Sequence, residues 1–141
     1  MKKTATLFLA CVLFSCGTTK TSTTKKPLFE ILTEQSDGGG NIRFFEILSE
    51  PNEIAMLQND EHLKRKIKED DVKNSNFVIL NMGEKRSGGY SITVENVEET
   101  ADKVILTVKE NEPEPGAMVT QAITYPYAIV KINSKKEITI K

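Results

Sequence analysis

Tryptophan is absent from this chain, histidine occurs once, and both cysteines stand within the first sixteen of its 141 residues. Each scarcity narrows the chemistry. A nucleophile-and-base hydrolase needs a Ser, Cys or Thr beside a positioned base. The lone His62 instead lies among Asp60, Glu61, Lys64, Arg65 and Lys66, on what reads as the solvated part of a helix. A zinc centre needs three or four His, Cys or acidic ligands at close spacing, which one histidine and no free cysteine cannot supply. The paired acids Asp70-Asp71 and Glu98-Glu99 need no explanation beyond solvated turns. No catalytic residue, metal or cofactor is expected.

Long apolar runs and an excess of positive charge are missing too. The longest apolar stretch, Leu7 to Phe14, has eight residues, far short of the ~20 that a membrane-spanning helix needs. Beyond residue 26 the chain carries fourteen basic against twenty acidic residues, a net of −6. Without a Lys/Arg cluster interleaved with aromatics there is no electrostatic footprint for a phosphate backbone, so nucleic acid is excluded as a partner. What remains, 38% hydrophobic and 28% charged, is the composition of a folded domain, and the length suits one core.

The first residues read as an export signal. Lys2-Lys3 forms a short basic start, the Leu7–Phe14 run is an h-region, and Leu13-Phe14-Ser15-Cys16-Gly17 resembles the bacterial lipobox. On this reading the bond before Cys16 is cut, its thiol receives a diacylglyceryl thioether and its new amine is acylated. Two or more acyl chains hold a protein to a bilayer where one is marginal, each buried CH₂ contributing about 0.8 kcal/mol. Cys11 leaves with the leader and Cys16 is modified, so no disulfide is available despite an exported location. Thr18 to Pro27 holds no apolar residue and cannot bury anything. The expected organisation is a leader over 1–15, a lipidated Cys16 with a Thr/Lys-rich tether over 16–27, and one β-rich domain over 28–141. Its expected place is the bacterial cell envelope, bilayer-anchored through Cys16 on the periplasmic or outer-membrane side.

In the domain, Phe29 to Leu32 and Phe45 to Leu48 share the tetrapeptide Phe-Glu-Ile-Leu across Ser36-Asp37-Gly38-Gly39-Gly40-Asn41. The Gly/Asn cluster supplies a reversal, and the pattern predicts a β-hairpin. Pro51 in a first turn, with Ser49 as N-cap and acids following, predicts a helical segment near 51–69, open to a break at Asn59-Asp60. From Phe77 onward the pattern is β: Phe77–Leu80, Tyr90–Val94, Val104–Val108, Val119–Tyr125, Tyr127–Ile132 and Glu137–Ile140. The expectation is an α+β fold, mainly antiparallel, of about eight strands in a sandwich or one curved sheet. Pro113-Glu114-Pro115-Gly116 cannot join a ladder and predicts a surface loop. Pro126 predicts an edge, bulge or bend, with the isomer of the Tyr125–Pro126 bond left open.

Three ordered blocks carry a family resemblance: Met82-Gly83-Glu84-Lys85-Arg86-Ser87-Gly88-Gly89-Tyr90-Ser91-Ile92, then Pro113-Glu114-Pro115-Gly116, then Thr124-Tyr125-Pro126-Tyr127-Ala128-Ile129-Val130. Together they resemble the PrcB C-terminal-domain family of PrcB-like lipoproteins, over roughly Asn76 to Ile132. The chain departs from that pattern at Arg86 and Ser87, where Pro and Thr are usual. The family is named for a lipoprotein that supports the assembly and stability of a surface protease complex. The resemblance therefore implies a non-catalytic role in binding an envelope protein partner, a protease complex being one candidate. The partner-binding residues it points to are Arg86, Ser87, Gly88, Gly89 and Tyr90, with Pro115, Gly116, Tyr125, Pro126 and Tyr127. An alternative is a loop-presenting protease inhibitor similar to the chagasin type, although that type's Asn-Pro-Thr-Thr-Gly signature is absent here.

Overall fold

The computed structural model describes residues 26–141; the leader, Cys16 and most of the tether lie outside the described residues. Seven strands and two short helices follow in the order β1 (Phe29–Gln35), β2 (Phe44–Leu48), α1 (Pro51–Gln58), α2 (Glu69–Asn74), β3 (Asn76–Asn81), β4 (Ser91–Glu99), β5 (Lys103–Asn111), β6 (Tyr127–Ile132) and β7 (Glu137–Ile140). The α+β, mainly antiparallel expectation holds, with seven strands in two facing sheets. One sheet runs β1-β6-β3-β2, antiparallel throughout, and the other β4-β5-β7, where only β5 and β7 are parallel. No helix among the described residues is long and apolar enough to cross a membrane.

The central strands read as continuous apolar runs because both of their faces are covered. On β3 and β6, Val78, Leu80, Ala128, Val130 and Ile132 turn toward Ile92, Val94, Val104, Leu106 and Ile138 of the second sheet. Alternate residues Phe77 and Ile129 turn the other way, toward Ile54 and Leu57 of α1 and Leu63 and Ile67 beyond it. The result is three layers: helices, four-stranded sheet, three-stranded sheet. Burying Phe77 and Ile54, both fully enclosed, contributes about 2–3 kcal/mol each.

The helical segment breaks where Asn59-Asp60 allowed it to. Asp60 Oδ1 accepts the N–H groups of His62 and Leu63 at 2.8 and 3.2 Å, a local alternative to helix continuation. The N-cap of α1 is Glu50, one residue after the expected Ser49. The Glu53 carboxylate accepts both backbone N–H groups, of Ser49 and Glu50, at 3.1 Å, so the acid in the first turn satisfies the donors.

Two expectations fail. The Phe-Glu-Ile-Leu runs do not form a hairpin: β1 pairs with β6 and β2 with β3, at opposite edges of one sheet. The glycines between them carry the chain across the end of β6 and β3, where Gly39 N–H donates to the Tyr125 carbonyl at 2.9 Å. Val119–Tyr125 is no strand either. Its neighbour is the glycine-interrupted segment 83–89, which allows one isolated bridge, Lys85 with Thr124.

Candidate functional site

The three sequence blocks converge beyond the end of the central strands. Past the Asn81–Tyr127 pair that closes the β3–β6 ladder, the two chains remain side by side. Met82 N–H donates to the Pro126 carbonyl at 2.9 Å, Lys85 and Thr124 exchange bonds of 2.8 and 2.9 Å, and Gly88 N–H donates to the Thr120 carbonyl at 2.9 Å. Pro126 has no N–H, so it sits where only its carbonyl is needed, immediately before β6. It is buried and provides the bend that its position predicted, in a chain whose described peptide bonds are all trans.

Side chains lock this end further. Thr124 Oγ1 donates to the Ser87 carbonyl at 2.9 Å. The Lys85 ammonium lies 5.2 Å from the centroid of the Tyr90 ring, a cation–π contact beside a ring packed against the inter-sheet core. The Tyr125 hydroxyl donates to Glu84 Oε2 at 3.4 Å. Burial and the nearby Glu84 carboxylate together push the Tyr125 phenol above its ordinary pKa.

Gly88 and Gly89 are required by close packing. A Cβ at Gly88 would stand 2.4 Å from Thr120 Oγ1, and one at Gly89 2.9 Å from Pro113 Cβ and 3.0 Å from Val119 Cγ1. Gly89 also has φ +90°, where a side chain costs about 1–2 kcal/mol. Gly89 thereby joins the first block to the second. Pro115 and Gly116 do not join the cluster: both are exposed, and nothing lies within 4 Å of a Cβ built on Gly116. Arg86 is exposed at the loop tip, while Ser87 is half-buried.

A fourth participant is the loop after β1, whose Gly/Asn cluster carries the sequence signal of a chain reversal and none of a site. Glu84 N–H donates to the Asn41 carbonyl at 3.0 Å, and a Cβ at Gly83 would meet Arg43 N at 2.8 Å. The same loop brings Ile42 to this end, 78% exposed, where Met118 is fully exposed and Ile123 is 55% exposed. Each borders the braced loop: Ile42 beside Gly83, Ile123 beside the Lys85–Thr124 bridge, Met118 beside the Val119 that touches Gly89. Ile42 stands alone among polar residues, Met118 sits between Ala117 and Val119, and Ile123 lies in the Val119–Tyr125 run that reads as a strand, so nothing in the sequence marks the three as sharing one end of the fold.

The neighbouring hollow of about 280 Å³ is lined by Thr33, Gln35, Asp37, Gly38, His62 and Tyr127. His62 is exposed, as its charged neighbours predicted. Among the described residues no group of three or more His, Cys, Asp or Glu is arranged to hold a metal ion. What this end can do is present a shaped, partly apolar surface on a rigid base.

The chain is 29% identical over 68 residues to an uncharacterized protein of Methanocaldococcus jannaschii, a match covering 48% of this chain and 41% of that protein. The chain thus spans about two-fifths of that curated relative's length. No solved structure matches it. Residues 76–133, which run from β3 through β6 and contain all three blocks, match the family described as PrcB C-terminal. Through this segment, with its glycine-braced loops packed beyond the β3–β6 ladder, the chain is similar to the PrcB C-terminal family.

Proposed function

We propose that this protein is a non-catalytic, membrane-anchored lipoprotein of the cell envelope that binds and stabilises a partner protein through the loop end around Arg86–Tyr90 and Tyr125–Tyr127. The observation that carries the reading is the exposure of Ile42, Met118 and Ile123 on loops fixed by backbone hydrogen bonds and glycine contacts. Apolar side chains held outward on a rigid rim gain stability when a partner covers them. A preorganised surface also avoids the ordering cost that weakens binding by mobile loops. An envelope protease complex is one candidate partner, by the family's name. Lys26 and Pro27 are held on the domain by Asp71 and Asn133, and residues 16–25 before them would reach about 35 Å if fully extended, so the partner would lie at the membrane or come to it.

The test is a cross-linked pull-down from membranes, confirmed by tagging the recovered partner and capturing this chain in return. Met118→Asp with Ile123→Asp alters exposed groups only, and should abolish reciprocal capture while leaving the melting temperature unchanged. Capture unaffected by that pair would overturn the loop-end reading. Inhibition of a protease panel at micromolar concentration by the purified chain would overturn the adaptor reading in favour of an inhibitor.

A further inference from the structure

β2 is an outer strand: it pairs with β3 on one side and with no described residue on the other. Natural sheets blunt such edges with bulges, charges or prolines, because unpaired N–H and C=O groups template another strand. β1, at the opposite edge, does so. Its register shifts between Ile31 and Thr33, and it carries Glu30, Glu34 and Gln35. The Leu32 carbonyl inside the shift accepts from the Lys66 ammonium. β2 pairs without a shift, has no proline or lysine, and leaves Phe44 40% and Ile47 37% exposed on its two faces. Its one charge, Glu46, takes part in no ion pair among the described residues.

Beside Glu46, between β2 and α1, lies a groove of about 140 Å³ lined by Leu48, Met56, Leu57 and Ile79 together with Glu46 and Glu53. Met56 is 72% exposed over it. The groove is apolar along its walls and acidic in its charges, in a domain whose net charge is already −6. A Lys or Arg with its aliphatic stem on Met56 and Leu57 and its head at Glu46 matches both properties. Arg43, the nearest cation along the chain, is engaged elsewhere, 2.8 Å from Glu110 and stacked on Phe45.

We propose that β2 is a docking edge for an extended segment of a partner protein in which apolar residues flank a Lys or Arg facing Glu46. Strand addition supplies main-chain hydrogen bonds, and the groove supplies selectivity. A second copy of this chain fits less well. The antiparallel register that pairs all five β2 residues with their equivalents centres on Glu46 and sets two carboxylates opposite each other. This edge binds through groups other than the loop-end residues, so either surface can fail without the other.

The probe is a fluorescein-labelled peptide alternating Val and Lys, titrated into the full chain purified in detergent, with amide exchange mapping its location. Binding should slow exchange in β2, and methylating alternate peptide nitrogens should abolish it. Glu46→Lys, on an exposed position, should weaken the Val/Lys peptide about fivefold or more, as replacing a cross-strand attraction by a like-charge repulsion implies. The same variant should favour a Val/Glu peptide. The loop variant Met118→Asp with Ile123→Asp should bind the Val/Lys peptide like the unmodified chain. No slowing in β2, or equal affinity of Glu46→Lys for both peptides, would overturn the proposal. Slowed exchange in β2 that grows with protein concentration in the absence of peptide would overturn it in favour of a second copy.

Discussion

The Asn81 side chain grips the Gly40 peptide from both sides: its Oδ1 accepts the Gly40 N–H at 2.8 Å and its Nδ2 donates to the Gly40 carbonyl at 2.9 Å. The same Nδ2 reaches the Ile42 carbonyl at 2.6 Å. Asn81 is 1% exposed and closes the β3–β6 ladder, so one buried amide ties the loop bearing Ile42 to the central strands. Asn81→Ala removes three hydrogen bonds to Gly40 and Ile42, each contributing about 0.5–1.5 kcal/mol net. We expect the unfolding free energy in urea to fall by about 2–3 kcal/mol, and exchange at residues 39–42 to rise well above that of the core.

Glycines in this region should differ sharply in tolerance. A Cβ at Gly39 would lie 2.2 Å from Asn81 Oδ1 and 2.7 Å from the Tyr125 carbonyl oxygen, and the latter is backbone that cannot swing aside. Gly39→Ala is expected to cost about 2–3 kcal/mol. Gly116→Ala meets no atom and should cost about 1 kcal/mol, from its backbone conformation alone. Thermal melts of the two variants check the order; equal melting points would mean that the loop is not braced as described.

These contacts also explain what the sequence could and could not disclose. Phe77–Leu80 and Tyr127–Val130 are legible as strands because burial on both faces leaves an unbroken apolar run. Which strands pair is a different matter. Phe29–Leu32 and Phe45–Leu48 flank a glycine cluster that fits a hairpin, yet the catches that carry the loop across the sheet, Asn81 and the Tyr125 carbonyl, stand far along the chain from Gly40 and Gly39, which they hold. Lys131 reads as a wet-face residue of an alternating strand, whereas it is 5% exposed and paired under α2. For the site, Gly88, Gly89 and the Tyr-Pro-Tyr block announce themselves by residue type. Ile42, Met118 and Ile123 do not, because only folding brings them to one rim.

The anchor makes a prediction about a residue outside the described part of the chain. If Cys16 carries the acyl groups, Cys16→Ser should move the protein from the membrane to the soluble fraction and from the detergent phase to the aqueous phase. The N-terminal peptide of the mature unmodified chain should show the mass of a triacylated or diacylated cysteine. A free Cys16 thiol there would refute the anchor.

The last prediction concerns a buried charge group that joins the helical layer to the sheet. Lys131 Nζ stands 2.9 Å from Glu30 and 3.5 Å from Asp71, and Asp71 also meets Lys26 at 3.0 Å and the Lys68 N–H at 3.0 Å. Burial by itself would raise the Asp71 carboxyl, but the Lys68 N–H, Lys26 and Lys131 outweigh it and hold it below its ordinary value. Burial would likewise lower Lys131, and Glu30 with Asp71 holds it above. A carboxyl depressed in the native state contributes stability that is present above its unfolded pKa, about 3.9, and lost as pH falls through the native value. An ammonium raised in the native state contributes below its unfolded pKa, about 10.4, and loses that contribution as pH rises through the native value. Both contributions are therefore intact from about pH 5 to 9. Asp71→Ala leaves Lys131 buried with Glu30 alone and should cost about 3 kcal/mol at neutral pH, a deficit that narrows as acid protonates Asp71 in the unmodified chain. Asp71→Ala with Lys131→Met removes the stranded charge and should cost less than the sum of the single variants by at least about 1 kcal/mol. Additive losses in urea unfolding at neutral pH would show that the two residues stabilise the fold independently.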